Sequence, residues 1–308
     1  MLMHMTKEHI GRRARRRGRR ATVGVALLAL LVFAPSALAE HHPTGNFAPF
    51  KYCPLGNSAT EFCTIANTTS GEFTVGKKTV KITNAIKLQG GFYENSKGEL
   101  EFIGAEGAET LSKTEETVPG GLLGITAPSW WPTVLQELFN EYVINKGFTG
   151  VTETTELAKP ASAIKLNTSN LIFEKGTALQ MPVKVKLNNA FLDSLGECYV
   201  AAGSKPIVLN LTTGETSPPG PNKPIKGSPG KGGFSEEGTL IRLNGGSLVD
   251  NAFPVEEGAS GCDGILFSWA VDPLVNEVLG VPSEAGHNTA ILNGGFEEAE
   301  AAAVKASE

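Results

Sequence analysis

The chain has 308 residues, 41% of them hydrophobic and 19% charged, with 27 Lys and Arg against 32 Asp and Glu. Eight of the basic groups stand in the first 20 residues. Setting aside residues 1–39, which also hold Glu8, leaves 19 basic and 31 acidic groups, a net charge of −12. That balance argues against nucleic-acid binding, which needs Lys and Arg to neutralise phosphates, and against anionic membrane surfaces.

The first segment reads as an address. Arg12, Arg13, Arg15, Arg16, Arg17, Arg19 and Arg20 form a positive region, and an apolar run from Ala21 to Phe33 follows. Pro35 breaks its helix, and Ala37-Leu38-Ala39 supplies small residues where a signal peptidase reads. The pattern predicts an export signal over residues 1–39, cut before Glu40. The apolar run is shorter than the roughly 20 residues of a spanning helix. No Cys follows the site for lipid attachment, and the flanks of Arg19-Arg20 fit a twin-arginine signal poorly. The mature chain is expected to carry no transmembrane segment and to be secreted or associated with the cell envelope. Residues 40–49, with His41 and His42, are expected to be a flexible start.

Four cysteines remain: Cys53, Cys63, Cys198 and Cys262. An even number in an exported chain points to disulfides, and the sequence alone permits three pairings. No C-x-x-C and no His at zinc spacing accompanies them, so no metal site is expected.

Residues 50–296 read as one β-rich domain, an antiparallel sandwich or barrel-like sheet with one or two short amphipathic helices as an insertion. Phe73-Thr74-Val75 and Thr79-Val80-Lys81-Ile82 flank Gly76-Lys77-Lys78 as a hairpin. Strands are expected at Ala85–Leu88, Leu100–Ile103, Ile207–Leu211, Leu240–Leu243 and Ala290–Leu292. Val183-Lys184-Val185-Lys186-Leu187 alternates, so one of its faces is wet. Three of the strand ends run into a Gly pair, at Gly90-Gly91, Gly245-Gly246 and Gly294-Gly295, which reads as chain reversals or bulges.

A helical insertion is expected near residues 116–150. After Pro132, Val134, Leu135, Leu138, Phe139, Tyr142 and Val143 share one face at helical period, with Ser129 as a cap and Gly147 at the C-terminal end. A second helix is expected over Pro273–Leu279, capped by Asp272 and ended by Gly280. Both are expected to pack on a sheet. Trp130 and Trp131 precede the first helix, where a seal over the core is the favoured role. A hydrophobic-ligand site built from Trp130, Trp131, Leu138 and Phe139 is the sharper alternative. The Pro- and Gly-rich stretch at 214–236 reads as an exposed loop or linker, and 297–308 as a frayed acidic tail.

Catalytic patterns are scarce. There is no G-x-S-x-G and no H-E-x-x-H. His287, the one histidine in expected folded sequence, reads as a turn residue rather than a general base. Gly71–Lys78 approaches a phosphate loop but lacks its final Ser or Thr and reads as a hairpin. Asp250, Asp263 and Asp272 lack the loop of a calcium site. No cofactor is expected.

The segments Thr69–Phe73, Pro182–Leu187, Cys198-Tyr199, Pro206–Gly214, Asn222–Ile225, Ser247–Asn251, Gly261-Cys262 and Ala285–Ala290 are similar to those of a group of uncharacterised exported proteins of high-GC actinobacteria. The resemblance spans most of residues 50–300 and implies secretion and a Cys198–Cys262 pair. It implies no activity, ligand or catalytic residue. The expected pairing for the chain is Cys53–Cys63 with Cys198–Cys262. The function expected is non-enzymatic, an extracellular or envelope protein that binds a hydrophobic ligand or an envelope component or plays a structural part. The alternative is a secreted, glycosidase-like hydrolase working through paired carboxylates.

Overall fold

Alternating apolar and polar residues build two antiparallel sheets. The computed structural model describes residues 41–96, 100–146 and 149–308. The expected export signal and its cleavage point lie outside the described residues. In chain order the elements are β1 (Phe62–Val75), β2 (Lys78–Ile82), β3 (Ile86–Glu94), β4 (Leu100–Gly104), β5 (Glu115–Thr117), α1 (Thr133–Leu138), a π-helical stretch at Phe139–Ile144, β6 (Thr152–Leu157), β7 (Lys165–Leu166) and α2 (Thr168–Phe173). They continue with β8 (Leu179–Asn188), β9 (Cys198–Val200), β10 (Ile207–Leu211), β11 (Lys231–Phe234), β12 (Leu240–Asp250), β13 (Ala259–Ser260), α3 (Gly264–Leu279), β14 (Thr289–Glu300) and α4 (Ala301–Ala306).

The first sheet has the order β11-β12-β14-β1-β3-β4, with β2 also paired to β1. The second has the order β13-β9-β8-β6-β5, with β7 and β10 on β8. Neither closes into a barrel. On β8, Val183, Val185 and Leu187 point inward and are buried, while the intervening lysines stay partly exposed, as the alternation requires. These residues join Phe73, Leu88 and Phe92 of the first sheet in one buried cluster. Burying each such side chain contributes about 1.5–3 kcal/mol. The described residues fall in one compact unit rather than two domains. No helix among the described residues is long and apolar enough to cross a membrane.

Both expected disulfides are present, Cys53–Cys63 and Cys198–Cys262. The expected hairpin is formed by β1 and β2, which pair Val75 with Lys78 across Gly76-Lys77. Gly76 has φ +57°, and a Cβ there would lie 2.4 Å from the Gly280 carbonyl oxygen. Only glycine lets this turn lie against the C-terminal end of α3.

Several expectations need correcting. The expected flexible start holds regular structure: Gly45–Phe50 forms a 3-10 helix that buries Phe50. The acidic tail is not frayed. Residues up to Glu300 belong to β14, a strand inside the first sheet, and α4 buries Ala301 and Val304. These two pack with Phe50, Cys53, Cys63 and Ile65 in a second, smaller cluster. Only two small apolar residues, three positions apart, anchor this last turn, too few to mark a helix by period. The ends are then clasped by Thr44 Oγ1 donating to the Ser307 carbonyl (2.7 Å) and by His41 against Glu308 (2.7 Å).

The Gly pairs do not reverse the chain, because each lies within a strand. Bulges occur at Asn244/Gly246 in β12, opposite Gly295-Gly294 of β14, and at Thr68/Ser70 in β1, opposite Gly294-Asn293. The 214–236 stretch is no linker. It folds back through bridges at Glu215–Lys226 and Ser228–Ser247 and ends in β11.

The insertion lies between β5 and β6, which pair with each other, so it is the loop of one long hairpin. Its helix α1 begins at Thr133 after Pro132, with no side-chain cap from Ser129. Gly147 lies outside the described residues. The second helix is longer than expected, starting at Gly264, nine residues before Pro273. Asp272 is not its cap: it accepts a hydrogen bond from the Cys262 N–H (2.9 Å), tying α3 back to the disulfide.

Candidate functional site

The helix α3 opens with Gly264-Ile265-Leu266-Phe267-Ser268-Trp269-Ala270-Val271, apolar on nearly every side. A helix of that kind is ordinarily buried all round. Here Val271, Val275 and Leu279 are buried on one face, while Ile265 is 96% exposed and Trp269 78% exposed. The helix is nevertheless held at both ends. The Cys198–Cys262 disulfide and the Asp272 contact fix its start. Asn276 Oδ1 accepts from the Ala259 N–H (2.6 Å), and the Leu279 carbonyl accepts from the Lys77 N–H (2.7 Å). Its exposed apolar face is therefore a rigid surface feature.

A cleft of about 240 Å³ lies beside α3. Val271, Leu274, Val275 and Val278 line one wall, and Gly121 and Leu122 of the insertion line another. The ends of β5, β6 and β8 are near its floor, through Val118, Val151 and Leu187. Its volume approaches the lower end of ligand pockets, about 300 Å³. Gly121 (φ +51°) lies so close to the Ile144 and Thr149 carbonyls, at 2.6 and 2.3 Å from a Cβ built on it, that a side chain there would displace this wall.

The insertion bears a second exposed apolar face. The Trp130–Trp131 pair does not seal the core, as Trp130 is 80% exposed. Trp131 stacks edge-on between Trp130 (6.0 Å) and Phe139 (5.4 Å). Leu138 is exposed with Val134, Leu135, Tyr142 and Val143, and Ile144 alone of the π-helical stretch is buried. The stripe read as packing on a sheet therefore faces outward. The structure thus gathers Trp130, Trp131 and Phe139 into one cluster, but none of the four expected ligand residues lines the cleft. The residues that do were missed by sequence reading. Four of them, Leu274, Val275, Val278 and Leu279, lie in the helix expected over Pro273–Leu279, and Val271 in the largely apolar run 265–271 before it, but nothing in the sequence marked them as lining a cleft.

The polar candidates are each engaged elsewhere. His287 is exposed on a turn, its backbone N–H donating to the Glu284 carbonyl (3.3 Å). Asp250 accepts from the Asn210 and Ala252 N–H groups, and Asp263 accepts from the Ser194 hydroxyl. No group of three or more His, Cys, Asp or Glu among the described residues is placed to hold a metal ion.

One carboxylate pair is brought together by the fold. Glu116 of β5 lies opposite Glu153 of β6, and both are buried. Glu116 accepts from the Thr83 N–H (2.9 Å), the Thr83 hydroxyl (2.6 Å) and the Asn84 N–H (2.6 Å), which fixes that turn. Glu153 accepts from the Thr155 hydroxyl (3.2 Å) and borders a cavity of only about 60 Å³ between the sheets. Burial, reinforced by the nearby Glu116 charge, pushes the Glu153 carboxyl up to about 7.

A last concavity, of about 450 Å³, lies on the first sheet where Asn67, Asn244 and Asn293 border Gly245, Gly294 and Gly295. It unites two of the three Gly pairs; Gly90-Gly91 lies elsewhere, on β3. Comparison of the chain with protein-family models, curated proteins and solved structures gave no match.

Proposed function

We propose that this is an exported, non-enzymatic binding protein of the extracellular space or cell envelope, and that it takes a hydrophobic ligand in the cleft beside α3. The observation that carries the reading is the juxtaposition of that apolar cleft with a rigid helix whose outer face leaves Ile265 and Trp269 in water. Exposed apolar surface of this kind marks sites of interaction. The two disulfides are compatible with an oxidising compartment. The aromatic cluster at Trp130 offers a further apolar surface on the insertion and keeps the ligand role first read for those residues within reach of the same proposal.

Native mass spectrometry of the protein purified from culture medium, followed by titration with dodecanol, tests the reading. The expected result is either a co-purified apolar molecule or stoichiometric uptake of the alcohol. A bare protein mass that stays bare on titration overturns it.

A further inference from the structure

The wall of the cleft is apolar, yet a cation stands at its rim. Lys78 opens β2, and its ammonium donates to the Pro119 carbonyl (3.2 Å) and the Gly124 carbonyl (3.3 Å). Those carbonyls bracket Gly121 and Leu122, the insertion's share of the cleft wall. On the other side stands Val278 of α3. A Cβ built on Gly124 would lie 2.9 Å from Val278 Cγ1 and 3.6 Å from Lys78 Nζ, so the ammonium stands close to Val278 of the cleft wall, just outside the lining itself.

The surroundings of this cation are incomplete. An ammonium has three donors, and two are engaged by neutral carbonyl oxygens. No carboxylate among the described residues lies within ion-pair distance of Lys78, although seven Lys or Arg side chains are paired with carboxylates elsewhere among those residues. Its neighbour differs: Lys77 donates to the Glu277 carbonyl at the C-terminal end of α3, where a helix favours positive charge. Burial of Lys78 lowers its affinity for a proton, the sign of a charge removed from water without an anionic partner.

We propose that the ligand of the cleft is an alkyl carboxylate, its chain lying against Leu122, Val275 and Val278 and its head group accepting a hydrogen bond from the Lys78 ammonium. The proposal rests on the reading of the cleft as a hydrophobic-ligand site and adds the chemistry of the head. A single point-like cation at the edge of an apolar wall suits an amphiphile with one anionic end, since charge-assisted hydrogen bonds are the stronger kind. The cleft volume of about 240 Å³ equals roughly eight waters at ~30 Å³ each, so it suits a chain of medium length.

The test compares dodecanoate with dodecanol, by calorimetric titration of the full chain with its disulfides intact. Dodecanoate is expected to bind at least about tenfold more tightly than the alcohol. Each methylene removed from the acid should weaken binding by about fourfold, the equivalent of about 0.8 kcal/mol. Lys78→Met should erase the preference for the acid, and Lys78→Arg should keep it. Equal binding of acid and alcohol to the native chain, or a preference that survives Lys78→Met, overturns the head-group assignment and leaves the apolar site standing. Binding of neither overturns the apolar site, and this proposal with it. The comparison on the native chain holds even where Lys78→Met fails to fold.

Discussion

Replacing Glu153 by glutamine should change how the stability of the fold depends on pH. The Glu153 carboxyl is buried in an interior lined by Phe73, Leu88 and Met181, with Thr155 as its hydroxyl partner. It loses its proton at about 7, against 4.5 for the free side chain. Between those two values the folded chain holds a proton that the unfolded chain has released. Stability must therefore fall as pH rises through that window and level off above it. At about 1.4 kcal/mol for each pH unit, the loss attributable to Glu153 is about 3 kcal/mol. Asp250 and Glu298, whose carboxyls burial also raises, slope the whole curve the same way, so the difference between variant and parent isolates Glu153. Glutamine mimics the protonated acid in shape and still accepts from Thr155. Urea unfolding at steps from pH 4 to 8.5 is the assay. The two proteins should be within about 1 kcal/mol at pH 4, and Glu153→Gln should be the more stable by about 3 kcal/mol at pH 8. Curves that run parallel across the window would show that the carboxyl is hydrated or paired in solution, and would refute the reasoning.

Two further outcomes are expected. Replacing Cys198 and Cys262 together by alanine should cost about 4 kcal/mol, and the Cys53/Cys63 counterpart about 3, as chain entropy assigns more to the longer loop; thermal unfolding under oxidising conditions checks the ranking. Trp130→Ala should alter unfolding free energy by no more than about 0.5 kcal/mol, whereas Leu211→Ala, at a fully buried position, should cost about 2–5 kcal/mol.

The parts of the fold that sequence conveyed are those where burial follows a period. The alternation at 183–187 located β8, and Gly76 marked the hairpin, because one side of each strand meets the core and a tight turn has few residue options. Strand β6 was hidden by its own composition. Thr152-Glu153-Thr154-Thr155-Glu156 shows no apolar position before Leu157, since the residues it buries are Glu153 and Thr154. The Asp272-Pro273 step looked like a helix start because both residues favour one. The contact of Asp272 with Cys262 that makes it something else is a matter of tertiary structure. The stripe on α1 exposes the main limit for function. Periodicity reveals that Val134, Leu135 and Leu138 share a face, but not whether protein, ligand or water covers it. For the same reason the cleft residues of α3 could be found only once the helix had been placed.

The position of β14 between β1 and β12 has a consequence for how the chain acquires its structure. Phe62 pairs with Glu300 and Thr74 with Thr289, while β12 takes the other edge of the same strand, from Leu240 opposite Ala299 to Asp250 opposite Ala290. A chain emerging from its N-terminal end can form the β1–β2 and β1–β3 pairings early, yet the middle of the sheet stays vacant until residues 289–300 arrive. Until then β1 and β12 each present an unpaired edge, and the cluster around Cys53, Cys63 and Phe50 lacks the cover of Val304. Pairings of such long range are slow to close. The order of arrival along the chain thus postpones the completed sheet, and residues 297–300, which read in isolation as the start of a frayed acidic tail, end the strand on which the first sheet waits.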